Sequence, residues 1–292
     1  MGAGDWDDLN LLWDRYPSSS PNNKIRALLR ALAEFTVYPS THTFWRGHSS
    51  HEYRLQPSAC RGTQPPTQGA LEKATEKLLE SAREASRSWR NGAQFSQLQP
   101  LQQLSHLQHH GLSTPLLDMT PDPMIALWMA CRTSSDAAGR SAPVDGLLIG
   151  FNVDSRWVDV SKRTEPYPTL APVLQQEQRV GWMRPPISDD RIVVQRSRML
   201  VSWIEHKNRW HSKISDVWLP DPTRTHIGAT GADAKRRLAG IFNPTQGRPS
   251  KLPALAFRIP RQLKGALRKV LENHYGVSKA TLFPDPGGVA AD

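Results

Sequence analysis

The sequence is poor in cysteine, with only two, Cys60 and Cys131, among its 292 residues. Two thiols cannot supply a four-thiolate zinc site or a network of disulfide bonds, so we expect a protein of the reducing cytoplasm. The sequence also lacks any run of about 18 apolar residues, which a membrane-spanning helix requires, and we expect no membrane partner. Residues 1–14 hold four aspartates and no basic residue, which does not fit a secretory signal.

Several motifs of nucleotide and hydrolytic chemistry are absent as well. The sequence contains no GxxxxGK[ST], GxGxxG, HExxH or GxSxG, which argues against P-loop NTPases, dinucleotide-binding Rossmann folds, zincins and α/β-hydrolases. His106, His109 and His110 have the helical spacing of metal ligands, but no second cluster of acidic or histidine residues pairs with them. We therefore expect no metal, and we expect these histidines at a polar helix end that lines a pocket.

Positive charge is concentrated near the end of the chain. The chain has a formal net charge of +10, to which residues 1–190 contribute −1 and residues 191–292 contribute +11. A basic region of this kind predicts a polyanionic partner, nucleic acid or acidic protein, although surplus charge also serves solubility alone. Four basic residues at i, i+3, i+7 and i+8 of the last long helical pattern form a candidate nucleic-acid-binding stripe: Arg261, Lys264, Arg268 and Lys269.

Hydrophobic periodicity predicts a mixture of helices and short strands, and ten tryptophans exclude wholesale disorder. The helices are expected near residues 6–13, 25–32, 68–90, 100–110, 121–130 and 262–274. The strands are expected near residues 43–45, 114–119, 145–153, 191–194, 198–203 and 255–259. Residues 155–186 are interpreted as an irregular lid and residues 221–232 as a loop.

These elements do not alternate regularly, which indicates an α+β fold rather than a doubly wound sheet. We expect a small mixed or antiparallel sheet with flanking helices. The predicted division is an N-terminal helical extension over residues 1–40 and one domain over residues 41–292.

Separated segments of the chain resemble the FRG-domain family. The first is FWRGH at residues 44–48, followed by YRLQPSACR at 53–61; the second is LQHHGLSTPLLDMT at 107–120, running into MIALWMA. The third is RIVVQ at residues 191–195, and TLFPDPGG follows at 281–288. The chain departs from the family pattern at three positions: Pro115 stands for arginine, Met119 for tryptophan and Ser197 for glycine.

The order of these motifs is also similar to the three-motif core of ADP-ribosyltransferases. That resemblance implies an ADP-ribosyltransferase-like fold, NAD as substrate, and a transferase or NAD glycohydrolase activity. It places Arg46, Gly47, Thr114, Asp118 and Thr120 at the dinucleotide. The catalytic set that it implies comprises Arg46, Thr120 and Gln195. His109 and His110 join this set because they stand before a turn at a helix end, where an imidazole can titrate near neutral pH. Arg46, Thr120 and Gln195 are expected to converge on one cleft, with His109 or His110 at its rim.

The implied chemistry leaves alternatives open. Arg46 would grip a phosphate or ribose hydroxyl, and Gly47 would allow a close ligand approach. Gln195 stands where transferases have a glutamate, and an amide can only hydrogen-bond to a developing cation. Arg46 paired with Asp118 would instead be a structural link between strands, and Gln195 would satisfy backbone groups.

Two hypotheses of function follow. FRG-domain proteins resemble effectors of bacteria and their viruses, so the first is an NAD- or nucleotide-binding ADP-ribosyltransferase-like effector with a toxin or antiviral role. The second is a non-catalytic module that binds nucleic acid or protein through the basic final third of the chain.

Overall fold

The computed structural model describes residues 20–37, 43–62, 66–135, 141–142, 144–186, 190–204, 215–219 and 254–284. Their secondary structure is mixed, with helices and two small sheets, as the α+β class predicts. No helix within these ranges is both long and apolar enough to cross a membrane. The helix expected at residues 6–13 and the loop expected at residues 221–232 lie outside them.

Nine α-helices and nine strands are present in the described ranges. The helices are α1 (Pro21–Val37), α2 (Gln68–Ser86), α3 (Gly92–Gln97), α4 (Pro100–His109), α5 (Pro123–Ala130), α6 (Tyr167–Glu177), α7 (Asp190–Val194), α8 (Arg261–Tyr275) and α9 (Lys279–Leu282). The strands are β1 (Thr43–His48), β2 (Leu117–Met119), β3 (Ser134–Ser135), β4 (Ser141–Ala142), β5 (Gly146–Asn152), β6 (Trp157–Asp159), β7 (Val180–Met183), β8 (Arg198–Val201) and β9 (Ala254–Ile259).

The chain divides into two compact units that are each built from separated segments. The first unit comprises Met1–Tyr53, Thr120–Asp154 and Asp221–Asp292, and the second comprises Arg54–Met119 and Ser155–Pro220. The motifs that resemble a single transferase core therefore lie in two different units. The expected boundary at residue 41 stays a prediction.

The first unit is a three-stranded antiparallel sheet in the order β1-β5-β9, with helices packed on one face. Its core joins the apolar faces of α1, α5 and α8. The expected pattern of α1 is confirmed, because Ile25, Leu28 and Leu32 are all buried. Gly276 ends α8 in the left-handed conformation, with φ of 66°.

The second unit contains the four-stranded sheet β2-β8-β7-β6, in which only the β6–β7 pair is parallel. Its core gathers apolar side chains from α2, α4, α6 and this sheet. Tyr167 is fully buried at the start of α6, and its hydroxyl donates to the backbone oxygen of Ser202 at 2.9 Å.

Two expectations for the second unit are wrong. Residues 155–186 are not an irregular lid, because they form β6, α6 and β7 around a buried apolar face. Prolines suggested an irregular segment, but Pro166 is the N-cap residue of α6 and Pro172 lies inside that helix. The helix expected at residues 68–90 ends at Ser86, so Trp89 lies beyond it and is exposed.

Candidate functional site

Arg46 lies on the edge strand β1 of the first unit. Side chains alternate along a strand, so Arg46 and His48 share one face, while Trp45 and Gly47 share the face that carries α5. The Arg46 Nε–H donates to His48 Nε2 at 2.8 Å, which requires His48 to be neutral with its proton on Nδ1. His48 is buried and Arg46 half-buried, so the imidazole fixes the orientation of the guanidinium.

Gly47 is required by helix packing. A Cβ at Gly47 would lie 1.8 Å from the carbonyl oxygen of Ala126, and one at Gly146 would lie 2.1 Å from that of Ala130. Helix α5 therefore rests directly on the backbones of β1 and β5. The expectation that Gly47 opens its strand to a ligand is wrong for this face, because α5 already occupies the space.

Thr120 is brought beside β1 by the backbone. Trp45 N donates to Thr120 O at 2.6 Å, and Thr120 N donates to Trp45 O at 2.9 Å. The Thr120 hydroxyl accepts from Asp122 N at 3.2 Å, and the Asp122 carboxylate accepts from Met124 N. Asp122 is thus the N-cap of α5.

In the second unit, the QHHG segment and the strand after it are joined by side chains. Gln108 Nε2 donates to Asp118 Oδ2 at 2.6 Å, and the Thr114 hydroxyl donates to Gln108 Oε1. The Thr114 backbone nitrogen donates to the Ser58 hydroxyl at 2.9 Å. Thr114 is fully buried. Thr114 and Asp118, which the resemblance places at a dinucleotide, here hold the turn between α4 and β2.

The histidines lie at the end of α4, as the sequence predicts. His109 is the last residue of the helix, and His110 follows it and is exposed. The His106 and His110 rings lie 4.5 Å apart, and the His106 ring lies 5.5 Å from that of Phe95. No group of three or more histidine, cysteine or acidic side chains within the described ranges is placed to hold a metal ion.

Gln195 is not on a strand. Residues Asp190–Val194 form the short helix α7, and the next strand begins at Arg198. Arg196 adopts the left-handed conformation with φ of 51°, while Ser197 N donates to Ile192 O at 3.0 Å. These are the features of a helix that ends in a Schellman turn. Gln195 lies half-buried in that turn, so the expected third strand motif is wrong at this residue.

The basic stripe on α8 is interrupted. Arg261, Arg268 and Lys269 are exposed, whereas Lys264 is only 9% exposed. Its ammonium donates to Ser49 O at 2.6 Å and to Arg132 O at 3.1 Å. Burial lowers the pKa of this ammonium, and the nearby Cys131 and Asp145 oppose part of that shift. Lys264 therefore anchors main-chain carbonyls near the end of α5 instead of facing solvent.

Sequence reasoning missed three residues that organise these sites. His48 could have been found, because it is two positions from Arg46 on a strand and must share its face. No sequence pattern points to Gln108, because its hydrogen-bond partners depend on how the turn between α4 and β2 folds. Asp145 precedes β5, and its carboxylate accepts from Arg258 Nε at 2.7 Å and from Arg261 N at 2.8 Å. Nothing in the local sequence distinguishes Asp145 from a solvent-exposed loop aspartate.

Both cysteines are buried free thiols. Burial raises the pKa of Cys60 and of Cys131 to about 12. A thiol that stays protonated near neutral pH is a poor nucleophile. Neither residue therefore offers a reactive group for catalysis.

The expected site residues are distributed over the two units. Arg46, Gly47 and Thr120 lie in the first unit. The second unit holds the others: His109, His110, Thr114, Asp118 and Gln195. The convergence of Arg46, Thr120 and Gln195 on one cleft stays a prediction.

A family model supports the first part of the resemblance. Residues 41–139, about a third of the chain, match the model of the FRG domain. Neither a curated protein nor a solved structure matches the sequence significantly. The match includes FWRGH and the QHHG segment, and it ends before the RIVVQ and TLFPDPGG segments. Residues 41–139 of this chain are therefore similar to the FRG domain.

Proposed function

We propose that the protein binds NAD or a related nucleotide and acts as an ADP-ribosyltransferase-like effector. The observation that carries the proposal is the Arg46–His48 pair on β1, next to the point where the backbone of Trp45 pairs with Thr120. This unit repeats the order of a transferase's first two motifs: a strand with Arg-Gly, then a threonine followed by a helix of small residues.

Arg46 is suited to hold a pyrophosphate or ribose group. Its Nε is fixed on His48, so the planar guanidinium is oriented before any ligand arrives. An oriented guanidinium loses less conformational freedom on binding, which favours affinity.

Transfer itself would be slow by this proposal. Cleavage of the nicotinamide–ribose bond develops positive charge on the ribose, and a carboxylate stabilises that charge better than the Gln195 amide does. The proposal therefore commits to binding first, with transfer or release of nicotinamide as a weaker activity. A toxin or antiviral role follows only if the modified acceptor is a macromolecule of the host or virus.

The test is ligand-dependent thermal stability of the full chain. NAD or ADP-ribose at 100 times its Kd should stabilise the protein by about 2.7 kcal/mol. The Arg46→Ala variant should lose this shift, and Arg46→Lys should recover only part of it, because lysine lacks the bidentate fork. Arg90→Ala is the matched control, since Arg90 is exposed and makes no hydrogen bond or ion pair among the described residues.

The outcomes separate binding from folding. If Arg46→Ala folds normally and keeps the full NAD shift, the proposal is wrong. If Arg46→Ala fails to fold, Arg46→Lys and His48→Gln provide the readout, because both retain a polar group at the site. Mass spectrometry of released nicotinamide measures turnover, which we expect to be slow in the unmodified chain.

A second candidate is nucleic-acid binding through α8. Exposed Arg268 and Lys269 adjoin each other on this helix, and Arg261 is exposed at its first turn. With Lys264 withdrawn, α8 offers at most three phosphate contacts. On duplex DNA each contact contributes about 0.9 to the slope of log affinity against log salt. Failure of the chain to bind DNA or RNA at low ionic strength would contradict this role.

A further inference from the structure

A cavity of about 370 Å³ lies inside the first unit, between the end of α5 and the first two turns of α8. Its basic lining residues are Arg261, Lys264 and Arg268, and its polar lining includes Thr133 and Gln262. None of its lining residues in the described part of the chain is acidic. The volume is at the lower end of the range for small-molecule sites, roughly 300–1,000 Å³. The cavity is therefore large enough for a small ligand and carries positive charge on one wall.

Several hydrogen-bond donors around this cavity have no partner among the described residues. Among the described residues, the side chains of Arg268, Gln262 and Thr133 make no hydrogen bond or ion pair. Lys264 uses two of its three N–H donors on the carbonyl oxygens of Ser49 and Arg132. A guanidinium, an amide, a hydroxyl and the ammonium thus line one concave surface.

The carboxylate near this wall is already engaged. Asp145 accepts from Arg258 Nε at 2.7 Å and from the backbone nitrogen of Arg261 at 2.8 Å. Its charge is balanced by Arg258 at close range, and although the Asp145 charge also acts on Lys264, neither Lys264 nor Arg268 forms an ion pair among the described residues. The positive end of the α8 dipole lies at the same wall and adds to the field of the side chains.

We propose that this cavity binds a small phosphorylated molecule, with Arg268 gripping the phosphate. Arginine binds a phosphate through two parallel N–H bonds, and Lys264 supplies a second, nearly buried cation. Gln262 and Thr133 then accept or donate hydrogen bonds to the rest of the ligand. Inorganic phosphate, pyrophosphate and AMP share this chemistry and differ in size. The site is separate from the one proposed on β1.

The experiment is calorimetric titration of the full chain with inorganic phosphate, pyrophosphate and AMP at low ionic strength. Arg268→Ala should weaken binding by about ten- to a hundred-fold, the range for loss of a charge-assisted bond. Lys269→Ala is the matched control, because Lys269 is the next residue, exposed and equally charged, and does not line the cavity. Gln262→Ala should weaken AMP more than inorganic phosphate.

Two results would overturn the proposal. One is no detectable heat with any of the three ligands on the order of 10 mM, which is too weak for a built site. The other is equal weakening by Arg268→Ala and Lys269→Ala, which would mean a general charge effect of the kind that nucleic acid produces along the helix.

The Arg46→Ala variant separates this proposal from the function proposed above. If AMP binding survives in Arg46→Ala and is lost in Arg268→Ala, the cavity is the phosphate site whatever NAD does. If AMP binding is lost in Arg46→Ala and survives in Arg268→Ala, the ligand binds at β1. In that case the cavity proposal is wrong and the NAD proposal stands.

Discussion

The FWRGH and QHHG segments, both within the region that matches the FRG-domain model, are held in opposite ways. In the FWRGH segment of the first unit, position 47 must be glycine, because α5 packs directly on its backbone and leaves no space for a side chain. At QHHG, the second unit needs the presence of matched side chains, because Gln108 joins Thr114 to Asp118. A motif that looks catalytic in sequence can thus be required first by packing or by hydrogen bonding.

This difference predicts different responses to substitution. A close backbone contact has no room to adjust, so even one added methyl must displace the helix. A side-chain network loses its bonds one at a time, and each loss leaves the remaining partners partly satisfied. We therefore expect an abrupt effect in the first unit and a graded effect in the second.

The largest effect is expected for Gly47→Ala. The new Cβ would lie 1.8 Å from the Ala126 carbonyl oxygen and 2.7 Å from the Ala130 backbone nitrogen. Both are backbone atoms, which cannot rotate away, so α5 must shift from β1. We expect a loss of roughly 3 kcal/mol or more in the free energy of unfolding, measured by urea denaturation.

The control for this variant is Gly69→Ala. Gly69 lies in the first turn of α2, and a Cβ there would meet no atom within 4 Å. Alanine lowers the entropy of the unfolded chain, so we expect Gly69→Ala to be neutral or stabilising by up to about 1 kcal/mol. Equal losses from the two substitutions would contradict the packing role of Gly47.

A smaller effect is expected for Thr114→Val. Valine keeps the shape but removes the hydroxyl that donates to Gln108 Oε1 and accepts from Leu116 N. Because Thr114 is fully buried, the groups left without a partner cannot turn to water. We expect a loss of about 1–3 kcal/mol in the free energy of unfolding.

A double-mutant cycle with Gln108→Met sharpens this prediction. If the two side chains act as a unit, the double variant should lose less than the sum of the single losses, with a coupling of about 0.5–3 kcal/mol. Strict additivity would show that the turn is held by other contacts. It would also leave Thr114 open to the ligand-binding role that the resemblance implies.

The sequence correctly predicted helices and strands that have one clear apolar face. Its predictions failed for residues whose positions depend on contacts with distant parts of the chain. The buried faces of α1 and α8 follow from their apolar spacing, and β5 follows from its apolar run. Lys264 has the spacing of a surface stripe, yet its ammonium is buried and donates to the carbonyl oxygens of Ser49 and Arg132. The sequence around Lys264 gives no sign of these distant partners.

The candidate site shows the same limit. Arg46 could be singled out from its motif, and its strand was expected. Gln195 could not be placed, because RIVVQ is as apolar and β-branched as a strand but forms a five-residue helix and a left-handed turn. Short apolar segments are decided by what they pack against, which spacing does not reveal.

The smallest effect is expected at the start of α5, where the first unit uses a side-chain hydrogen bond. The Asp122 carboxylate accepts from Met124 N at 2.9 Å, and removal of an N-cap costs about 1 kcal/mol. Asp122→Ala should therefore lose about a third of what Gly47→Ala loses, although both residues position the same helix. Asp122→Asn is the control, since asparagine caps nearly as well. If Asp122→Ala unfolds the protein as Gly47→Ala does, α5 is held by its cap rather than by its contact with β1, and the contrast between the two units fails.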